Sequence, residues 1–90
     1  MPESFEETIT LAGDLHARPA GALSVAAAQF AAAVQLAVGD SQADAKSVLA
    51  VMQLGASSGQ QVTIRATGLD AGDAVAAIIG ILAGATKAGD

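Results

Sequence analysis

The 90-residue chain has no cysteine, no tryptophan and no tyrosine, and it has a single histidine. Without cysteine there are no disulfide staples, thiolate metal sites or sulfur nucleophiles, and a reducing, cytosolic setting fits best. One histidine, His16, leaves no imidazole pair for a metal, and no serine–histidine–acid set is plausible in so small a domain. Phe5 and Phe30 are the only aromatics, so bases have no stacking platform. Four basic residues against nine acidic ones give a net charge of −5, with no basic stripe to meet a phosphate backbone. Nucleic-acid binding is therefore not expected. Gly13, Gly21, Gly39, Gly55 and Gly59 fall at separate turns and form no phosphate-binding glycine loop. No cofactor is implied.

A long stretch without charge does exist, from Pro19 to Gly39. It is mostly alanine, broken by Ser24, Gln29 and Gln35, and its pattern changes from helical to alternating near Ala33. That suits a helix followed by a strand better than a membrane span. Residues Met1 to Thr10 are acidic and lack the basic-then-apolar layout of a signal peptide, so a soluble intracellular protein is expected.

Hydrophobic residues make up 52% of the chain, and 23 of the 90 residues are alanine, so the core must close by tight packing of small side chains. Ninety residues make one domain, read as 1–90. Phe5, Ile9 and Leu11 alternate with polar residues, which predicts a first strand over 5–11 with Glu7 near an edge or end. Ala20, Leu23, Ala27 and Phe30 predict a helix from about Ala17 to Gln29. Val34, Leu36 and Val38 predict a second strand, and Gly39-Asp40 a hairpin into a short strand over 41–43. Ser47 is a candidate N-cap for a helix over 48–54, which Gly55 would end in a left-handed conformation. Val62, Ile64 and Ala66 give the clearest strand. Asp70 is a candidate cap for a last helix with the stripe Ala74, Val75, Ile78, Ile79 and Leu82, in which Asp73 near the start and Lys87 near the end complement the dipole. The order β-α-β-β-α-β-α predicts an α+β fold. It is an open-faced β-sandwich, a four-stranded antiparallel sheet with three helices on one face.

The segment Asp14-Leu15-His16-Ala17-Arg18-Pro19-Ala20 carries the functional signal. Pro19 is tolerated in a first helical turn, which puts the helix start near Ala17 or Arg18 and His16 at its entrance. Unpaired backbone N–H groups of Ala17 and Arg18 would converge there with the positive end of the macrodipole, and the Arg18 guanidinium can grip phosphate oxygens. Imidazole, with an ordinary pKa of about 6.5, is largely a neutral nucleophile near pH 7. Taken alone, the segment supports two readings: a phosphoryl acceptor at His16, or a surface histidine that only begins a helix.

Two motifs together resemble the HPr family, the histidine-containing phosphocarriers of the bacterial phosphoenolpyruvate-dependent sugar phosphotransferase system. Leu15-His16-Ala17-Arg18-Pro19-Ala20 resembles the family's active-site signature. Lys46-Ser47-Val48-Leu49-Ala50-Val51-Met52-Gln53-Leu54-Gly55 resembles its regulatory-serine segment, at the expected separation. The resemblance implies that His16 accepts a phosphoryl group at Nδ1 from enzyme I and passes it to an enzyme IIA domain, with Arg18 stabilising the phosphate. It implies phosphorylation of Ser47 by a serine kinase in some members. It also implies a docking patch of Ala20, Val48, Leu49 and Met52 on a monomer that is a covalent substrate of its partners more than an enzyme in its own right. An alternative is a regulatory interaction protein, controlled through Ser47 and binding a kinase, phosphatase or transcription regulator without sugar transport.

Three positions depart from the family pattern. Asp14 stands where glycine is usual, so a carboxylate near His16 is expected to favour imidazolium and repel phosphate. Gly21 replaces a larger residue and is expected to loosen the second helical turn. Arg18 is the only basic residue of the first helix, which predicts weak electrostatic steering toward acidic partners.

Overall fold

The alternation of Val62, Ile64 and Ala66 with Thr63, Arg65 and Thr67 is accommodated by a sheet with one buried and one wet face. The computed structural model describes residues 3–15 and 17–87, with side chains through residue 83. Its elements are β1 (Ser4–Thr10), α1 (Ala17–Ala28), β2 (Ala33–Val38), β3 (Ser41–Asp44), α2 (Val48–Gln53), β4 (Gln61–Thr67) and α3 (Ala71–Lys87). The strands form one antiparallel sheet in the order β1-β4-β2-β3. This is the expected α+β open-faced sandwich. α1 packs against both other helices, α3 lies over β1 and β4, and α2 lies beside β3. No helix among the described residues is long and apolar enough to cross a membrane.

On the wet face, residues in register meet side by side. Thr8 and Thr63 share a hydroxyl hydrogen bond of 2.9 Å, and Arg65 Nε donates to Glu6 Oε1 at 2.8 Å. Both partners of that ion pair are about half exposed, so it contributes no more than about 1 kcal/mol. β1 is an edge strand. Its odd positions are exposed up to Ile9, which is half-buried, and Leu11 just past the strand is buried, while Phe5 stays 45% exposed. Gly39 has φ +58° and Asp40 does not share a positive φ, the pattern of a type II′ hairpin turn.

Small residues set how closely α1 approaches the rest of the core, since Ala20, Leu23 and Ala27 are fully buried along it. Ser24 shares that face at 4% exposure, and its hydroxyl has no hydrogen-bond partner among the described residues. An unsatisfied buried hydroxyl costs about 1–3 kcal/mol. Alanine also has the higher helix propensity, by up to ~0.7 kcal/mol. Ser24→Ala is therefore expected to raise stability by about 1 kcal/mol in urea denaturation, and an unchanged midpoint would show that the hydroxyl is satisfied in solution.

The turn from α1 to β2 is held by two side chains from distant segments. Lys46 Nζ donates to the Phe30 carbonyl at 2.9 Å. Asp70 accepts from the Ala31 and Ala32 amides at 2.9 and 2.8 Å. This corrects the expectation that the Asp70 side chain caps α3: its carboxylate reaches across to the turn ahead of β2, and only its backbone carbonyl serves the helix, accepting from the Ala74 amide. The Ala31 hydrogen bond is the main cause that holds the Asp70 carboxyl below the ordinary value of 3.8, assisted by the Ala32 amide and the positive charge of Lys46 and opposed by desolvation. A carboxyl lowered in the folded state stabilises the fold above its unfolded pKa, and that contribution fades as pH falls through the lower folded value. Melting temperatures measured from pH 6 down to about 2 should thus fall below pH ~4 more steeply in the parent than in Asp70→Asn. Parallel curves would contradict the assignment.

Asp73 stands in the first turn of α3 as expected, while the Lys87 side chain lies outside the described residues. The stripe of α3 is Ala71, Ala74, Val75, Ile78 and Leu82, with Ile79 half-buried.

Candidate functional site

α1 begins at Ala17, as Pro19 predicts. Leu15 and Pro19 are both buried, and between them Ala17 and Arg18 are exposed, so the chain is anchored on either side of a short exposed step. His16 belongs to that step in sequence and lies outside the described residues. The amides of Ala17 and Arg18 lie in the first turn and need no helical acceptor, Pro19 has no N–H to offer, and the turn contains no acidic residue. An anion at this end would meet amides, a guanidinium and the positive end of the helix.

The approach to this step is not a free loop. Residues 11–15 are fastened to residues 56–60 by five hydrogen bonds. The Leu11 amide donates to Gln60 O (2.9 Å), the Gly59 amide to Leu11 O (2.9 Å) and the Leu15 amide to Ala56 O (2.9 Å). Ser58 Oγ donates to Ala12 O (3.2 Å), and the Ser58 amide donates to Asp14 Oδ1 (2.8 Å). The distal strip is itself a tight turn. The Gln60 amide donates to Ser57 O (3.0 Å) and Gly59 has φ +88°, the pattern of a type II turn with Ser58 in its second position. Gln60 Oε1 closes the turn on the Ser57 amide. Asp14, read from sequence only as a neighbour of His16, thus has a definite partner 44 residues away.

Ser47 caps α2. Its hydroxyl accepts from the Ala50 amide at 3.2 Å, and Gly55 ends the helix at φ +62° as expected. Leu49 is 66% exposed, and Val48 and Met52 are exposed beside it. The end of α2 runs straight into Ala56, whose carbonyl accepts the Leu15 amide, so a backbone hydrogen bond joins the end of α2 to the residues just ahead of α1. Ala20 is not part of the apolar patch. It was expected to contribute to docking, but it lies on the inward face of α1 with Leu23 and Ala27 and is fully buried, so it can shape the surface only from beneath. Gly21 does not interrupt the helix, which runs unbroken to Ala28.

Over residues 3–83 the chain matches the family model PTS-HPr, described as the PTS HPr component phosphorylation site. The chain belongs to the HPr family. The HPr fold and the phosphocarrier type are shared with its relatives. The phosphocarrier protein HPr of Mycoplasma capricolum is 36% identical over 74 residues, 82% of this chain and 83% of that protein. The solved structure of a Mycoplasma histidine-containing phosphocarrier protein superposes with a TM-score of 0.82 at 32% identity, covering 93% of this chain and 96% of that one. A multiphosphoryl transfer protein of Xanthomonas campestris is 44% identical over 71 residues, 79% of this chain but 8% of that much longer protein. In this HPr domain the sequence motifs located the start of α1 and the cap of α2. They did not reveal the fastening of residues 11–15 to 56–60, for which Ser57-Ser58-Gly59 signalled only a loop.

Proposed function

We propose that this HPr domain carries phosphoryl groups on His16, within the cytoplasm. It takes them from enzyme I charged by phosphoenolpyruvate and delivers them to a sugar-specific enzyme IIA domain. The Nδ1 lone pair of neutral His16 attacks phosphorus, the new N–P bond forms as the donor's N–P bond breaks, and the donor imidazole leaves with the electron pair. The observation that carries this reading is the exposed Ala17-Arg18 step between buried Leu15 and Pro19, at a helix start without carboxylates in its first turn. Two amides and one guanidinium bind the phosphoryl oxygens without a metal. That is enough to receive the group and not so much as to retain it. Val48, Leu49 and Met52 supply apolar contact for both partners in turn, which explains why large side chains stay exposed on a six-residue helix.

Ser47 supports a second, regulatory reading. A phosphate on its hydroxyl would sit at the start of α2, where charge is tolerated, and would place two negative charges beside the patch. Such a mark, set by a serine kinase and removed by a phosphatase, would alter partner choice, including a transcription regulator, more than the fold.

The test is intact-mass analysis after incubation with phosphoenolpyruvate and enzyme I, followed by acid treatment and peptide mapping. One acid-labile phosphoryl group on the peptide containing His16 is the expected result. An acid-stable group on Ser47 after parallel incubation with a serine kinase and ATP, with none on His16 although enzyme I charges a control carrier, would establish the regulatory reading instead.

A further inference from the structure

Asp14 is the one carboxylate on the approach to the phosphate-accepting step, and its charge alone would argue against phosphate binding. Its contact argues otherwise. Oδ1 accepts the Ser58 amide at 2.8 Å, and this bond joins four others that tie residues 11–15 to residues 56–60. Ser58 is the second residue of the type II turn, whose closing hydrogen bond and positive-φ Gly59 fix the direction of its N–H. A rigid turn therefore presents a fixed donor, and a charged acceptor makes the stronger type of hydrogen bond with it. The Asp14 side chain and the Leu15 amide, bonded to Ala56 O, hold successive residues immediately ahead of the α1 entrance.

We infer that Asp14 is a positioning residue for phosphoryl transfer: by holding the Ser58 amide it fixes residues 11–15, and through them the Ala17 and Arg18 amides that receive the phosphate. This rests on the proposed carrier function of His16. Carboxylate repulsion is the smaller effect here because the charge is engaged by a donor on the far side of the loop. Misplacing a reacting group by about 1 Å can cost as much as ~100-fold in rate. Loss of one of five fastening bonds should cost less, about tenfold in the rate at which the domain accepts phosphate from enzyme I.

Four variants separate the alternatives. Asp14→Ala removes acceptor and charge, while Asp14→Asn keeps an acceptor oxygen and removes the charge. Ser58→Pro deletes the donor N–H at a turn position that favours proline, and Ser58→Ala deletes only the hydroxyl. Asp14→Ala should slow acceptance about tenfold, Ser58→Pro about tenfold beyond Ser58→Ala, and adding Asp14→Ala to Ser58→Pro should slow it no further, because both remove the bond between the Ser58 amide and Asp14. Asp14→Asn should stay near the parent rate, and Ser58→Ala, which breaks only the longer, uncharged Ser58 Oγ–Ala12 O bond, should slow acceptance by less than Asp14→Ala. In Asp14→Ala and Ser58→Pro the Leu15 amide should exchange with solvent faster than in the parent, a reading independent of enzyme I. Faster acceptance by Asp14→Ala, or equal slowing by Asn and Ala, would mean that charge and not position is what Asp14 supplies. Strict additivity of Asp14→Ala and Ser58→Pro would likewise overturn the inference. If the parent itself accepts no phosphoryl group while enzyme I charges a control carrier, the carrier function fails, and the role of Asp14 in transfer fails with it.

Discussion

His16→Ala abolishes phosphoryl acceptance from enzyme I. The expectation is a complete loss and not a slow residual reaction, because the chain contains no second imidazole to take over. Hydroxyl oxygens such as that of Ser47 are poor nucleophiles without an activating base, and the Ser47 hydroxyl is itself engaged by the Ala50 amide at 3.2 Å. The helix start that survives the substitution still offers the Ala17 and Arg18 amides, so phosphate binding and phosphoryl transfer are separable. Arg18→Ala should leave His16 competent but slow it by about 10²–10³-fold, the usual cost of removing one donor to a developing negative charge. Arg18→Lys should recover only part of that, since an ammonium is a point charge and not a planar fork. The measurement is the fraction of the protein carrying an acid-labile phosphoryl group against time. Any such group on a folded His16→Ala variant would sink the assignment.

The largest expected effect on stability lies at the opposite end of α1. Gly68 connects β4 to α3 with φ +148°, donates its amide to Glu3 O at 2.8 Å, and passes so close to Ala32 that a Cβ would lie 2.8 Å from the Ala32 Cα. Neither side can give way easily, because the Ala32 amide is held by Asp70 at 2.8 Å. In Gly68→Ala the backbone strain is about 1–3 kcal/mol. Overpacking adds about 1–3 kcal/mol more. At ~0.05–0.15 kcal/mol per residue, a domain of this size has only about 5–13 kcal/mol of stability. The variant should melt at least about 10 °C below the parent, since each kcal/mol moves the midpoint of so small a domain by ~4–8 °C. Gly21→Ala is the internal control. The same change in α1 meets nothing within 4 Å and should stabilise by about 0.5–1 kcal/mol. Equal melting points for the two variants would refute the argument.

These two cases show what was legible in the chain and what was not. The start of α1 at Ala17 could be read because its signal is local: Pro19 marks a helix start, and the start supplies amides. The strands, the hairpin at Gly39 and the cap at Ser47 could be read for the same reason. Asp70 was misread because the local rule, an acid before a helix, competes with a bond made 39 residues away to Ala31. Ala20 was misplaced because it sits within the signature motif while its helical phase points inward. The Gly68–Ala32 approach and the Asp14–Ser58 bond leave no local trace at all, since each joins a glycine or a small polar residue to a backbone from another element.

The fastening of residues 11–15 to residues 56–60 also determines when the site can exist. A ribosome that has released the first 55 residues has exposed the whole active-site signature and both α1 and α2, yet none of the acceptors and donors that hold Leu11, Asp14 and Leu15. The phosphate-accepting end is completed only once the chain past Gln60 has been made and β4 has paired between β1 and β2. Such long-range closure is slow relative to local helix formation. A nascent or proteolysed chain truncated there would carry the signature without the geometry, so charging by a partner becomes a certificate that the domain has finished folding.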